Sequence, residues 1–250
     1  MKHTNPLGKK IDSPKSYDPG QLFPIKRKAV KNSYGQDLWT LYEVYWLDSN
    51  HTPHVRIGHL SYDANSPNII ESKSLKLYLN SLNNTVFATT NDLKKTIIND
   101  LETCLKTKVT LTLYTIEEFS QHLNTPQEST ELSYSNTLEL TKKDITETVH
   151  THTYRSYCPV TSQPDFATLI ITYTGKRISH KQLLQTLHDK SNKQAFHEEC
   201  IDNIFVTLLN QYACNQLCIY GLFTRRGGIA ITPIRSTHNQ LKNNFQIARQ

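Results

Sequence analysis

Two periodicities take turns along the chain. Apolar and polar residues alternate over 38–47 and again over 54–62, the period of a half-buried strand, and Asp48-Ser49-Asn50 supplies the turn that makes them a hairpin. After the polar stretch Asn65-Ser66-Pro67-Asn68 comes Ile69-Ile70. A short helix through Lys76, Leu77 and Leu79 then ends near Asn83-Asn84. Thr90-Asn91-Asp92 has the chemistry of a helix start, and Leu93, Ile97, Leu101 and Leu105 fall on one helical face. A third strand is predicted over 109–116. Beyond the polar stretch 124–135 the order returns: strands over 148–157 and 166–174, helices over 179–188 and 195–212, strands over 216–224 and 229–234. This reads as two β-β-α-α-β-β units in tandem. Residues 1–35, rich in Pro, Gly, Lys and Ser, read as an extended arm packed on the body. The expected organisation is an α+β protein with an arm (1–35), a first module (36–123), a linker (124–135) and a second module (136–250).

Composition narrows the class. The 250 residues are 37% hydrophobic and 20% charged, ordinary for a chain that folds without staples. The five cysteines, Cys104, Cys158, Cys200, Cys214 and Cys218, form no CxxC pair and no even framework, which points to a reducing compartment. With no apolar run long enough for a bilayer and a polar beginning, neither a transmembrane helix nor a secretory signal is expected, so the expected location is cytoplasmic. The formal charge of +6 is spread out, with Lys26-Arg27-Lys28 the only tight cluster. It reads as a solvated surface that also suits a phosphate-bearing cofactor, and direct nucleic-acid binding is not expected.

The candidate chemistry gathers between Arg155 and Phe166. Cys158 precedes Pro159, and Pro164 precedes Asp165, so a thiol and a carboxyl share one stiffened turn. A carboxylate disfavours a nearby thiolate, so the pairing makes sense where the carboxyl is protonated or passes a proton. Addition of sulfur to an electrophile that is protonated as it is attacked, such as a nitrile, fits that requirement. An inert buried cysteine and an Asx turn are the structural alternatives. His197 and Glu198 open the long helix above the stripe Ile201, Ile204, Leu208 and Tyr212; a carboxylate there can accept from a ring N–H and an exocyclic amine together, or can simply favour the helix start. Glu71-Ser72-Lys73 reads as a capped helix start or as a phosphate-reaching group, and Arg225-Arg226-Gly227-Gly228 as a basic hairpin turn or an anion site. No G-x-G-x-x-G follows a strand, so a dinucleotide would be held by other means.

Four stretches carry a family resemblance: Cys158-Pro159-Val160-Thr161-x-Gln163-Pro164-Asp165, Glu71-Ser72-Lys73-Ser74-Leu75-Lys76-Leu77-Tyr78, Phe196-His197-Glu198-Glu199-Cys200 and Arg225-Arg226-Gly227-Gly228-Ile229. Together with Pro6-Leu7-Gly8-Lys9, Tyr17-Asp18-Pro19 and Leu22-Phe23-Pro24, they resemble the NADPH-dependent 7-cyano-7-deazaguanine reductases, the nitrile reductases of queuosine biosynthesis. The order of the motifs matches the two-module subfamily. The resemblance implies tandem tunnelling-fold (T-fold) modules whose antiparallel sheets form a barrel with helices outside, completed in a homodimer. It implies Cys158 as the nucleophile that forms a thioimide and Asp165 as the proton donor. Ile70, Glu71, Ser72, His197 and Glu198 would contact the substrate. Ser72, Lys73, Arg226 and Gly227 would contact NADPH, used twice per turnover, and no metal is implied. Departures stand at Tyr157, Phe166, Ala230, Thr232 and Ile234, where the family pattern has Asn, Trp, Asp, Asn and an aromatic.

Two other classes compete. His150 and His152 share a strand face and, with Cys158, suggest a metal-dependent cyclohydrolase of the same fold, although no further ligands stand at metal spacing. The positive charge suggests a tRNA-binding module, but no RNA-binding signature accompanies it.

Overall fold

The structure, a computed structural model, describes residues 14–28, 33–121, 129–134, 143–239 and 245–250. The Pro6-Leu7-Gly8-Lys9 motif and residues 124–128 and 135 of the expected linker lie outside them. The chain divides into two compact units, one drawn from Met1–Ala29, Leu38–His122 and Arg225–Ala230, the other from Val30–Asp37, Leu123–Thr224 and Ile231–Gln250.

The first unit is built from β1 (Pro24–Lys26), most of β2 (Tyr34–Leu47), β3 (Pro53–Asp63), β4 (Asn68–Ile70), α1 (Ser72–Ser81), α2 (Thr90–Leu105), β5 (Val109–Tyr114) and α3 (Ile116–Gln121). Its strands run in the order β5-β3-β2, with β1 and β4 as a separate antiparallel pair. Asp48 builds the β2–β3 turn by accepting from the backbone N–H groups of Asn50 and Thr52. In the described part of the stretch read as arm, Leu22 is buried and Pro24 registers against Ile70. Thr89 caps α2 by accepting from the Asp92 N–H, and the predicted stripe of Leu93, Ile97, Leu101 and Leu105 is buried.

The second unit holds β6 (Thr130–Glu131), β7 (Ile145–Tyr157), β8 (Pro164–Gly175), α4 (His180–Lys190), α5 (His197–Tyr212), β9 (Gln216–Phe223) and most of β10 (Ile229–Ser236). Its strand order is β10-β9-β8-β7-β6, antiparallel except for the parallel β6–β7 pair. Odd-numbered residues of β8 and β9 meet α4 and α5 in one core that includes Leu169, Ile171, Ile201, Ile204, Phe205, Ile219 and Phe223. Ile170, Cys218, Tyr220, Leu222 and Ile234 form a smaller cluster with Phe245 and Ile247. A register shift between Thr151 and Tyr154 changes which residues of β7 join the core, placing Tyr154 and Ser156 inside. α5 lies close against β9 because residue 221 is glycine: a Cβ there would stand 2.4 Å from Ile201 Cδ1.

Four expectations change. The third strand stops at Tyr114, because Thr115 and Glu118 form a reciprocal capping box (Glu118 N–H to Thr115 Oγ1, 3.1 Å; Thr115 N–H to Glu118 Oε2, 2.8 Å) that starts α3 at Ile116. β2 begins at Tyr34, four residues before its predicted start, inside the stretch read as arm. The tandem repeat is incomplete among the described residues, since one strand, β5, follows the helices of the first half while β9 and β10 follow those of the second. Neither unit's strands close into a barrel among the described residues, because β5 at one end and β6 at the other each have a single strand neighbour there. The architecture is mixed α+β with a large, mainly antiparallel sheet. No helix among the described residues is long and apolar enough to cross a membrane.

Candidate active site

The loop between β7 and β8 is a closed turn. Cys158 N–H donates to the Gln163 carbonyl (2.9 Å), Ser162 N–H donates to the Cys158 carbonyl (3.0 Å), and Ser162 takes a left-handed φ of 55°. Pro164 and Asp165 already belong to β8, registered against Tyr157 and Ser156. The half-buried Cys158 therefore sits at the mouth of the hairpin, with Asp165 opposite the residue two before it.

A second set of bonds fastens this loop to the start of α5. Tyr157 N–H donates to the Lys193 carbonyl (3.2 Å) and Ala195 N–H donates to the Tyr157 carbonyl (3.1 Å), so the segment before the helix runs along the end of β7. The Gln194 amide adds a bond to Ser162 Oγ at 2.8 Å. That strap delivers His197 to Asp165: Nε2 lies 3.5 Å from the Asp165 Oδ2. Phe223 fixes the imidazole from the other side, stacked at 3.9 Å between centroids and 17° between planes. Glu198 is 3% exposed, so its carboxylate is aligned with the interior instead of the solvent. The structure thus brings Asp165 and His197 together and ties both to the Cys158 loop. Phe223 escaped the sequence reading; its signal was the run Gly221-x-Phe223, which alternates small and aromatic side chains under the helix start.

Cys200, three residues after His197, is buried, and burial pushes its thiol up to about 11, against hydrogen bonds to Ser156 and Tyr154 that act the other way. It stays a thiol at neutral pH.

The remaining predicted residues lie in the first unit. Ile70 ends β4 and is buried. Glu71 caps α1: its Oε1 accepts from Lys73 N–H at 3.0 Å and its Oε2 from Ser74 N–H at 2.7 Å. Glu71 N–H in turn donates to the Phe23 carbonyl, so the described part of the arm holds this carboxylate in place. Each of its oxygens keeps a second lone pair for a further donor. Ser72 and Lys73 are exposed on the first turn of α1. Gly227 and Gly228 take φ of 55° and 76°, the pair of left-handed residues that a two-residue I′ hairpin turn needs. A Cβ at Gly227 would stand 2.9 Å from Lys76 Nζ, which places that ammonium against the turn, and Arg225 stacks over Tyr42 at 4.5 Å. The Lys76 ammonium and the exposed Arg225 and Arg226 guanidinium groups around bare glycine backbone fit a polyphosphate ligand.

His150 and His152 do share a face, with ring centroids 5.0 Å apart, but no group of three His, Cys, Asp or Glu among the described residues could hold a metal ion. Phe166, on the strand face opposite Asp165, is 42% exposed.

Comparison with known proteins shows the family of the chain. Residues 13–113 match the family model described as nitrile reductase, 7-cyano-7-deazaguanine-reductase N-term, and residues 164–242 match that of QueF-like protein. The NADPH-dependent 7-cyano-7-deazaguanine reductase of Desulfotalea psychrophila is 39% identical over 98% of this chain and 97% of its own length. Proteins of the same name from Acinetobacter baylyi and Acinetobacter baumannii are each 35% identical, with the same coverage. The chain belongs to the NADPH-dependent 7-cyano-7-deazaguanine reductase family.

Proposed function

We propose that this enzyme reduces the nitrile of 7-cyano-7-deazaguanine (preQ0) to the aminomethyl group of 7-aminomethyl-7-deazaguanine (preQ1) with NADPH, in queuosine biosynthesis. Cys158 Sγ adds to the nitrile carbon and Asp165 gives a proton to the nitrogen, so the C≡N bond becomes the C=NH of a thioimide and nothing leaves. Bound NADPH supplies hydride, two equivalents in turn, for the four-electron conversion to the amine. Cys158 departs as thiolate when the carbon–sulfur bond breaks. His197, held between Asp165 and Phe223, keeps the donor carboxyl aligned for the first proton transfer, would sit near the nitrile or amine end of the substrate, and can relay the further protons the amine requires. Glu198 accepts from the ring N–H and exocyclic amine of the heterocycle. Ile70, Glu71 and Ser72 supply further substrate contacts, and Ser72, Lys73, Arg226 and Gly227 hold the phosphates of NADPH.

The observation that carries this reading is the strap of residues 193–195, which ties the cysteine loop to the helix start whose His197 meets Asp165 of β8. Mass spectrometry of the intact protein incubated with the nitrile alone tests it. A gain equal to the whole mass of the nitrile, located on Cys158 and absent from Cys158→Ala, is expected; an unchanged mass overturns the mechanism.

Among the described residues β5 and β6 each lack a second strand neighbour, which suits a tunnelling-fold arrangement in which a second copy completes the barrel; the active species is then a homodimer, and five free cysteines suit a reducing, cytoplasmic location. Sedimentation at assay concentration tests this, and a fully active monomer rejects it.

A further inference from the structure

Behind the helix that presents His197 and Glu198 lies a buried charge cluster that the chemistry above leaves unused. Arg235 on β10 is 0% exposed, Asp37 at the start of β2 is 0% exposed, and Asp202 on α5 is 8% exposed. Arg235 Nη1 donates to Asp37 Oδ1 at 2.8 Å and to the Ile234 carbonyl at 3.0 Å, while Nε donates to Asp202 Oδ1. All three residues belong to the second unit. We infer that Asp37, Arg235 and Asp202 form a positioning device that sets the register of α5, and through it the placement of His197 and Glu198 at the reacting centre; the inference rests on the functional reading above.

Three observations support it. First, the cluster is a poor way to gain stability. Desolvating each ion costs several kcal/mol, and well-packed apolar residues of the same volume commonly do as well or better. Arg235 Nη2 also meets no acceptor among the described residues. Second, apart from Glu198 the rest of the buried α5 face is apolar, through Cys200, Ile201, Ile204, Phe205 and Leu208, and such a face tolerates small slides between packed surfaces. A hydrogen-bonded guanidinium is directional and does not. Third, Asp202 lies four residues after Glu198. On an α-helix that is about 6 Å along the axis and about 40° around it, so a tether at Asp202 fixes the azimuth of Glu198 on the same face. A slip of one residue would turn His197 by about 100° and shift it by about 1.5 Å, enough to cost on the order of a hundredfold in a reaction that depends on near-attack geometry.

The test uses the full chain and the nitrile alone, so that hydride transfer does not enter. Asp202→Asn, Arg235→Lys and Arg235→Met are compared with the parent for thermal midpoint, for the single-turnover rate of adduct formation and for the nitrile concentration giving half-saturation. Asp202→Asn keeps the side-chain volume and is expected to stay folded at the assay temperature, yet to form the adduct at least tenfold more slowly and with weaker saturation. Arg235→Lys is expected to fall between the parent and Arg235→Met. Should Arg235→Met not fold, Asp202→Asn decides alone. Folded variants that form the adduct at the parent's rate and affinity reduce the cluster to a structural role and overturn the inference. A parent that forms no adduct instead overturns the functional reading on which it rests.

Discussion

Replacing Phe223 by leucine separates what the His197 stack does for the chemistry from what it does for the fold. Phe223 is 1% exposed and touches two rings: His197 at 3.9 Å and 17°, and Tyr154 edge-on at 6.5 Å and 79°. Leucine keeps an apolar side chain of similar volume, a swap worth under about 1.5 kcal/mol in most cores. Each lost aromatic pair adds about 0.5–1.5 kcal/mol, so a total near 2 kcal/mol is expected. For a chain of this size that is a fall in thermal midpoint of about 4–8 °C. The effect on the reaction has a different origin. Without the stack His197 keeps the Asp165 carboxylate at 3.5 Å but loses the aromatic plane against which its ring lies, and the ring gains access to other rotamers. A productive fraction reduced to about one tenth corresponds to about 1.4 kcal/mol and a tenfold slower adduct. Stopped-flow absorbance of the covalent species at saturating nitrile, well below the melting temperature, reads that number directly. A variant that melts early but forms the adduct at the parent's rate would show that the stack is packing alone.

Two other predictions address separate parts of the molecule. Gly228→Ala forces a Cβ into a φ of 76° and to 2.5 Å from the Glu43 Cδ, costing about 1–2 kcal/mol in left-handed strain. The Glu43 side chain is exposed and can move, so the damage should stay in the turn: the NADPH concentration for half-maximal rate rises several-fold while adduct formation with nitrile alone holds, and a loss of both would place the turn in the first chemical step. Stability should also fall in alkali. The Cys200 thiol is pushed up from 9.0 to about 11 in the fold, so between these values the unfolded chain releases a proton that the folded one keeps. That contribution is intact below about pH 9 and is lost by about pH 11, amounting to about 3 kcal/mol. Urea titrations of parent and Cys200→Ala across that window should show the shallower decline in the variant, and parallel curves would refute the assignment.

The regular elements were legible because each carries its own period. The α2 stripe of Leu93, Ile97, Leu101 and Leu105 and the alternation Val109-Thr110-Leu111 at the start of β5 specify which face is covered without reference to anything distant. What stayed hidden depends on partners far along the chain. β1 and β4 have three residues each and exist because they pair with one another. The register shift at Thr151–Tyr154 leaves no mark in a pattern read two residues at a time. The Thr115–Glu118 capping box was readable and was overridden by the alternation that precedes it. For the site, the chemical types of Cys158, Asp165, His197 and Glu198 stood out, whereas Phe223 and the Asp37–Arg235–Asp202 cluster look like ordinary core and surface letters until the fold encloses them.

The strap formed by Lys193, Gln194 and Ala195 along Tyr157 has a mechanical consequence. A hairpin mouth and a helix tip on independent supports would drift against each other with every breathing motion of the domain, and a bond between groups carried on them would fail to form most of the time. Joined edge to edge, they ride together. Displacements of the sheet carry sulfur and imidazole in the same direction, leaving side-chain torsions as the chief source of misalignment, so warming should blur the gap between them far less than it blurs either one's position in the laboratory frame.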